Sequence, residues 1–182
     1  MIELVPVARE HREDLRRWRN DPEVARYMYT THEISEEEHA TWFERLLVSE
    51  DRRAWVISMD GTGVGAVFLT SIDRANSRAT WAFYLADSRT RGRGVGSAVE
   101  FLLLDVAFVE MGLHKLCAEV LSFNQPVLEM HKKFGFVEEG LLRQHWLRDG
   151  EWLDVHVIAQ FRDSWLTRRA DFEEKLRSRG LI

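Results

Sequence analysis

Arg91-Gly92-Arg93-Gly94-Val95-Gly96-Ser97 lies between a strand-like run, Ala79 to Leu85, and a helical run reaching about Met111 that is apolar on most sides. Glycines at this junction let the backbone approach a ligand closely and expose several N–H groups, and the positive end of the helix adds to them. Arg91 and Arg93 bring cations suited to phosphate. The stretch therefore reads as an anion cradle, with a solvated Gly/Arg turn as the alternative. No Gly-Lys-Ser/Thr follows, so it is not a Walker A loop. The spacing fails the dinucleotide fingerprint, and no opening βαβ unit contains it.

Outward from the cradle, the chain divides into recognisable elements. Before it, Ile2 to Val7 reads as a strand, with Pro6 marking an edge or an end. His11, Leu15 and Trp18 fall on one face of a short helix that Asn20-Asp21-Pro22 stops. Ser35 and Glu38 form a capping box for a second helix, whose apolar face carries His39, Trp42, Phe43, Leu46 and Leu47. Ala54 to Met59 and Val64 to Ile72 read as a hairpin around Asp60-Gly61-Thr62-Gly63. Gly63-Val64-Gly65 belongs to that hairpin rather than to a second phosphate loop. On the strand from Ala79 to Leu85, Trp81, Phe83 and Leu85 share one face and Thr80, Ala82 and Tyr84 the other. After the cradle helix come a strand, Leu116 to Leu121, a short helix capped by Asn124 and ended by Gly135, and two strands around Arg148-Asp149-Gly150. A last helix bears the stripe Trp165, Phe172, Leu176, which fits its own sheet or a partner in a homodimer. The fold class is α/β of the mixed α+β kind, with a single mixed sheet of about seven strands. The second to fourth strands lack crossover helices, which excludes a doubly wound sheet.

The 182 residues suit one domain, 1–182. With seven Trp and ten Phe, the chain has too much apolar area to remain disordered. A net charge of −5 disfavours a broad nucleic-acid surface. The single cysteine, Cys117, fits a reducing compartment. Phe101 to Val109 is interrupted by Asp105 and too short to span a bilayer, and Met1-Ile2-Glu3-Leu4 lacks the start of a signal peptide. A cytoplasmic chain with no membrane partner is expected. The seven histidines show no paired metal-ligand spacing, so no metal is expected.

Arg-x-x-Gly-x-Gly between the fourth strand and the central helix resembles the acyl-CoA pyrophosphate loop of the GCN5-related N-acetyltransferases (GNAT). Asn124 through Phe136, an Asn-capped helix ending in Gly135-Phe136, is similar to that family's second signature, and the order of elements matches over nearly the whole chain. The resemblance implies a fold whose fourth and fifth strands splay apart, with acetyl-CoA as co-substrate. Its pantetheine would pair with backbone groups of Leu85 and Ala86. The amides of Gly92, Arg93, Gly94, Val95, Gly96 and Ser97 would hold the pyrophosphate, with Arg91 adding charge, and Asn124 would meet the pantetheine end. Many members of the family place a tyrosine acid seven residues after that Asn, and this chain has His131. An imidazole there can deliver a proton at neutral pH. Val127, His131 and Phe134 equally fit a packed core face. Tyr84 as acid and Glu119 as acceptor of the amine proton flank the same gap. Their alternatives are a satisfied sheet tyrosine and a solvated or Arg-paired glutamate.

The N-terminal half, with Trp18-Arg19-Asn20-Asp21-Pro22, Met28, Ile34-Ser35 and His39, resembles the PseH-type branch. That branch acetylates the 4-amino group of a UDP-linked 4-amino-4,6-dideoxy-N-acetyl-altrosamine toward pseudaminic acid. The resemblance implies a small-molecule nucleotide amino sugar as acceptor. Trp18, Met28, Trp42 and Trp81 would give it walls, Arg19 or Arg26 charge, and Asn20 and His39 are further candidates for contact. Asn20 also fits a simple turn, His39 the core, and Trp42 and Phe43 the core rather than the site. A RimJ/RimL-like ribosomal-protein N-terminal acetyltransferase is the alternative enzyme, and a non-catalytic acyl-CoA-binding module the alternative of a different class.

Overall fold

The computed structural model describes residues 1–182. Seven strands form one mixed sheet: β1 (Ile2–Pro6), β2 (Arg53–Met59), β3 (Thr62–Asp73), β4 (Arg78–Leu85), β5 (Lys115–Leu121), β6 (Val137–Arg148) and β7 (Glu151–Phe161). Their order across the sheet is β1-β2-β3-β4-β5-β7-β6. Pro6 sits at the end of edge strand β1, opposite Trp55, where its missing N–H costs no central ladder bond. The β2–β3 turn is narrower than the sequence implied. Asp60 and Gly61 alone turn the chain, at φ +52° and +80°, and Met59 already pairs with Thr62.

The β4–β5 junction is the sheet's one parallel pairing, and it is short. Arg78, Ala79 and Thr80 pair with Lys115, Leu116 and Cys117, and the pairing stops there. Beyond it β4 stays with β3 as far as Leu85 opposite Gly65, while β5 stays with β7 as far as Leu121 opposite Val155. The two strands therefore splay, as the family resemblance implied.

Helices cover both faces. On one lie α4 (Val95–Asp105, continuing as a π-helical turn Val106–Glu110), α5 (Gln125–Phe134) and α6 (Arg162–Ser178). Phe101, Leu103, Leu104, Phe108, Leu128, Phe134 and Trp165 form the main core there with the sheet residues Trp81, Leu116 and Ile158. On the other face, α1 (Arg12–Asn20), α2 (Pro22–Ala25) and α3 (Glu36–Val48) bury Leu15, Trp18, Val24 and Phe43 against Val56, Ala66 and Tyr84. Ser35 caps α3 by accepting from the Glu38 amide (3.1 Å), but the Glu38 carboxylate turns to His32 (3.0 Å) and leaves the capping box open. The α6 stripe docks within the chain: Trp165 is fully buried and its indole N–H donates to Asp105 (3.1 Å). No helix is long and apolar enough to cross a membrane.

Candidate active site

The splay opens a cleft of about 580 Å³ between the ends of β4 and β5, lined also by the cradle and by residues of the segment from Glu23 to Tyr29. At the cradle, Gly94 is the N-cap of α4 with φ +80°, and a Cβ there would come within 3.0 Å of Leu181 Cδ1. Holding a non-glycine residue in that left-handed region costs about 1–3 kcal/mol. The first backbone donors of the helix, on Val95, Gly96 and Ser97, have no partner within the helix, which begins its ladder with Ala98 N–H to Gly94 C=O (3.1 Å). All three residues line the cleft, as do Arg91, Gly92 and Gly94. This donor set fits a pyrophosphate. Arg91 reaches across to Glu23 (2.8 Å) and ties the loop to α2. Arg93 does not line the cleft; its guanidinium lies against the sulfur of buried Met59 (3.9 Å).

Antiparallel pairing fixes which backbone groups of β4 face the gap. The Ala86 amide donates to Val64 C=O (2.8 Å), and alternation along the strand sends the polar groups of Tyr84 and Ala82 the same way, toward β3. Ala86 therefore has no amide to offer a ligand, contrary to the sequence expectation. Leu85 and, unexpectedly, Phe83 present theirs to the gap. Asn124 occupies the N-cap position of α5, but its side chain makes no capping bond and lines the cleft instead.

His131 is 4% exposed, lines the cleft, and its Nδ1 lies 2.9 Å from Oε1 of Glu100, a fully buried residue of α4. The imidazole is boxed by Trp81, edge-on with ring centroids 5.1 Å apart, and by Phe136 at 5.2 Å. Burial pushes the Glu100 carboxyl above the usual carboxylate range, and the charge and hydrogen bond of His131 pull it partway back. Glu100 was not among the site residues expected from the sequence. The signal was available: a lone acid within the apolar run Val95 to Leu104 needs a buried partner. Tyr84, on the opposite face of the sheet, has a buried hydroxyl with no hydrogen-bond partner, and burial raises its pKa against the opposing pull of Arg19. Glu119, exposed on β5, accepts from Tyr29 Oη (2.5 Å).

Around the acceptor end the outcome is mixed. Met28 and Trp81 line the cleft. Trp18 and His39 do not: they are 6% and 2% exposed, packed between α1, α3 and the sheet, because the apolar face of each helix turns them inward. Asn20 clamps a loop, donating to Ile34 C=O (2.9 Å) and accepting from its N–H (2.8 Å). Arg19 does not itself line the cleft, but it lies beside Tyr84, which does. Tyr27, Tyr29, Trp146 and Arg148 also gather at this end, unmarked in the sequence. Arg148, at the tip of the β6–β7 hairpin, donates to the carbonyls of Arg26 and Met28, and Tyr29 packs on Trp146 at 4.4 Å. These contacts join residues some 120 positions apart and leave no local pattern.

A chain with a splayed β4–β5 pair and an amide cradle opening the next helix has the architecture of an acyl-CoA-dependent transferase. Residues 2–137 match the acetyltransferase (GNAT) domain family, and the chain belongs to that family. It is an acetyl-CoA-dependent N-acetyltransferase. It is 31% identical over 147 residues to an SPbeta prophage-derived uncharacterized N-acetyltransferase of Bacillus subtilis, covering 80% of this chain and 82% of that protein. It is 23% identical over 165 residues to the spermidine N(1)-acetyltransferase of Escherichia coli, covering 91% and 88%. Among solved structures, it resembles the spermidine N-acetyltransferase of Vibrio cholerae in complex with CoA and spermine. The TM-score is 0.84 at 21% identity, over 91% of this chain and 98% of that one, a likeness of fold.

Proposed function

We propose that the acceptor is the 4-amino group of a UDP-linked amino-deoxy sugar, of the 4-amino-4,6-dideoxy-N-acetyl-altrosamine type that leads to pseudaminic acid. The carrying observation is an unmet cation. Arg19 sits beside Tyr84 with Nη1 buried and unpartnered, and burial pulls its pKa below the ordinary guanidinium value. Standing behind Tyr84 rather than in the cleft wall, this desolvated guanidinium without a carboxylate sets a positive field that favours an anionic acceptor such as the diphosphate of a nucleotide sugar. Arg26 adds charge at the rim, and Tyr27, Tyr29 and Trp81 offer aromatic walls.

Spermidine, the substrate in the names of several relatives, calls for the reverse arrangement. A polycation needs several free carboxylates, and of the two that line this cleft Glu23 is neutralised by Arg91 (2.8 Å), which leaves Glu119 alone, accepting from the Tyr29 hydroxyl (2.5 Å) and still charged.

When bound, acetyl-CoA supplies the acetyl thioester that the amine attacks. The amides of Val95, Gly96 and Ser97 hold its pyrophosphate end, and Phe83, Leu85 and Asn124 align the arm. Glu119 takes the proton that the attacking amine loses, through water. His131 supplies a proton from Nε2 to the leaving sulfur. Tyr84, neutral at physiological pH, keeps its O–H as a donor on the acceptor side.

The test is free-thiol release from acetyl-CoA with a UDP-4-amino sugar, spermidine and a ribosomal-protein N-terminal peptide run side by side. Turnover with the nucleotide sugar alone is expected. Turnover confined to spermidine or to the peptide overturns the acceptor assignment.

A further inference from the structure

Glu100 is hard to explain as a stabilising residue. It is fully buried in a helix whose neighbours are Val99, Phe101, Leu103 and Leu104, it has one partner, and its Oε2 has none. A buried acid paired once is commonly no better for stability than a well-packed apolar residue. What Glu100 does is constrain one imidazole. With Nδ1 held 2.9 Å from Oε1 and the ring boxed by Trp81 and Phe136, the only nitrogen of His131 left to face the cleft is Nε2.

We propose that Glu100 is the positioning residue of this enzyme: it fixes the His131 ring and its protonation so that Nε2–H is the donor presented to the leaving sulfur. This rests on His131 being the acid. The step calls for an ionised Glu100 and a proton on both nitrogens of His131, the two charges then cancelling within the pair. Donation breaks the Nε2–H bond and forms an S–H bond on the departing thiolate. The electron pair of the broken bond stays on Nε2, and the remaining ring proton stays on Nδ1, hydrogen-bonded to the Glu100 carboxylate. The helix that opens with the pyrophosphate cradle thus also carries, at its sixth residue, the group that orients the proton donor. Cofactor binding and proton delivery share one rigid element.

The experiment compares wild type, Glu100→Gln and His131→Ala by kinetics, and wild type with Glu100→Gln by nitrogen-15 NMR of the imidazoles. Gln keeps the volume and the hydrogen bond but removes the charge. Its kcat is expected to fall about 10- to 100-fold, within the range general acids supply, with both KM values within about twofold and acetyl-CoA affinity unchanged. In the wild type, the His131 Nδ1 proton is expected far downfield, as for a proton shared with a carboxylate, and Glu100→Gln moves it back. If that proton is not downfield in the wild type, the proposal fails whether or not the variant folds. If Glu100→Gln keeps full kcat while His131→Ala loses it, His131 is the acid and Glu100 does not position it. If His131→Ala keeps full kcat, the assignment of the acid itself fails.

Discussion

A buried carboxyl leaves a thermodynamic trace separable from catalysis. The Glu100 carboxyl is raised above its ordinary value of 4.5, first by burial and then partly offset by His131. A carboxyl raised in the folded state contributes stability that is fully present below its unfolded pKa and is lost as pH climbs through the folded one. Glu100→Gln lacks that loss. Its melting temperature relative to wild type is therefore expected to rise as pH goes from about 4.5 upward, by about 2–4 °C for each kcal/mol of linkage removed in a chain of this length. Melting curves of both proteins between acid and neutral pH check this, and a difference that stays flat with pH would show that the carboxyl titrates normally. At this scale the sequence was partly legible. His131 stood out by its spacing from Asn124, and the cradle by its glycines. Glu100 was visible as a lone acid in an apolar run, but its partner was not, because two residues 31 apart share no local periodicity. Trp18 and His39 were assigned to the acceptor by family resemblance, and the helical faces they sit on turn them into the core instead.

The elements divide the labour. α4 and β4 are built by local rules: a left-handed glycine before a helix, and alternating apolar residues along a strand. Both were readable in advance. The acceptor wall is built by contacts across the chain. The β6–β7 hairpin turns at Asp149 and Gly150, both at positive φ, and this places Arg148 over the segment from Arg26 to Met28. Phe123 stacks on Tyr27 at 5.8 Å and lies under the Arg148 guanidinium at the same distance. A charged donor bonded to two carbonyls is the main polar tie on that segment. Arg148→Ala should therefore loosen it. The expected result is a rise of about tenfold or more in acceptor KM, matching the ~1.5–3 kcal/mol of one charged hydrogen bond, with acetyl-CoA affinity within about twofold of wild type. Titration of acetyl-CoA by calorimetry and acceptor kinetics separate the two. An unchanged acceptor KM would mean that the hairpin tip supports the fold and leaves recognition alone.

For the whole molecule, the sheet is two halves joined by a three-residue parallel seam and by the helices across it. The mixed architecture was legible because strand-like and helix-like runs alternate in only part of the chain. The extent of the seam was not, since nothing in Trp81 to Leu85 or Ala118 to Leu121 states that two adjacent strands stop pairing. The unpaired stretch has a measurable consequence. The amides of Phe83 and Leu85 face the gap, while those of Ala82 and Tyr84 face Phe68 and Ala66 across the β3–β4 ladder. Without cofactor, Phe83 and Leu85 are expected to exchange hydrogen quickly, and Ala82 and Tyr84 slowly. Acetyl-CoA at a hundredfold excess over its Kd stabilises the bound form by about 2.7 kcal/mol, or roughly 100-fold in exchange for amides it covers. If the pantetheine takes the place of a missing strand, the slowing falls on Phe83 and Leu85, and the already protected pair changes least. If binding raises the melting temperature while these two amides exchange as before, the cofactor is held by the cradle alone and the gap serves only to admit the acceptor.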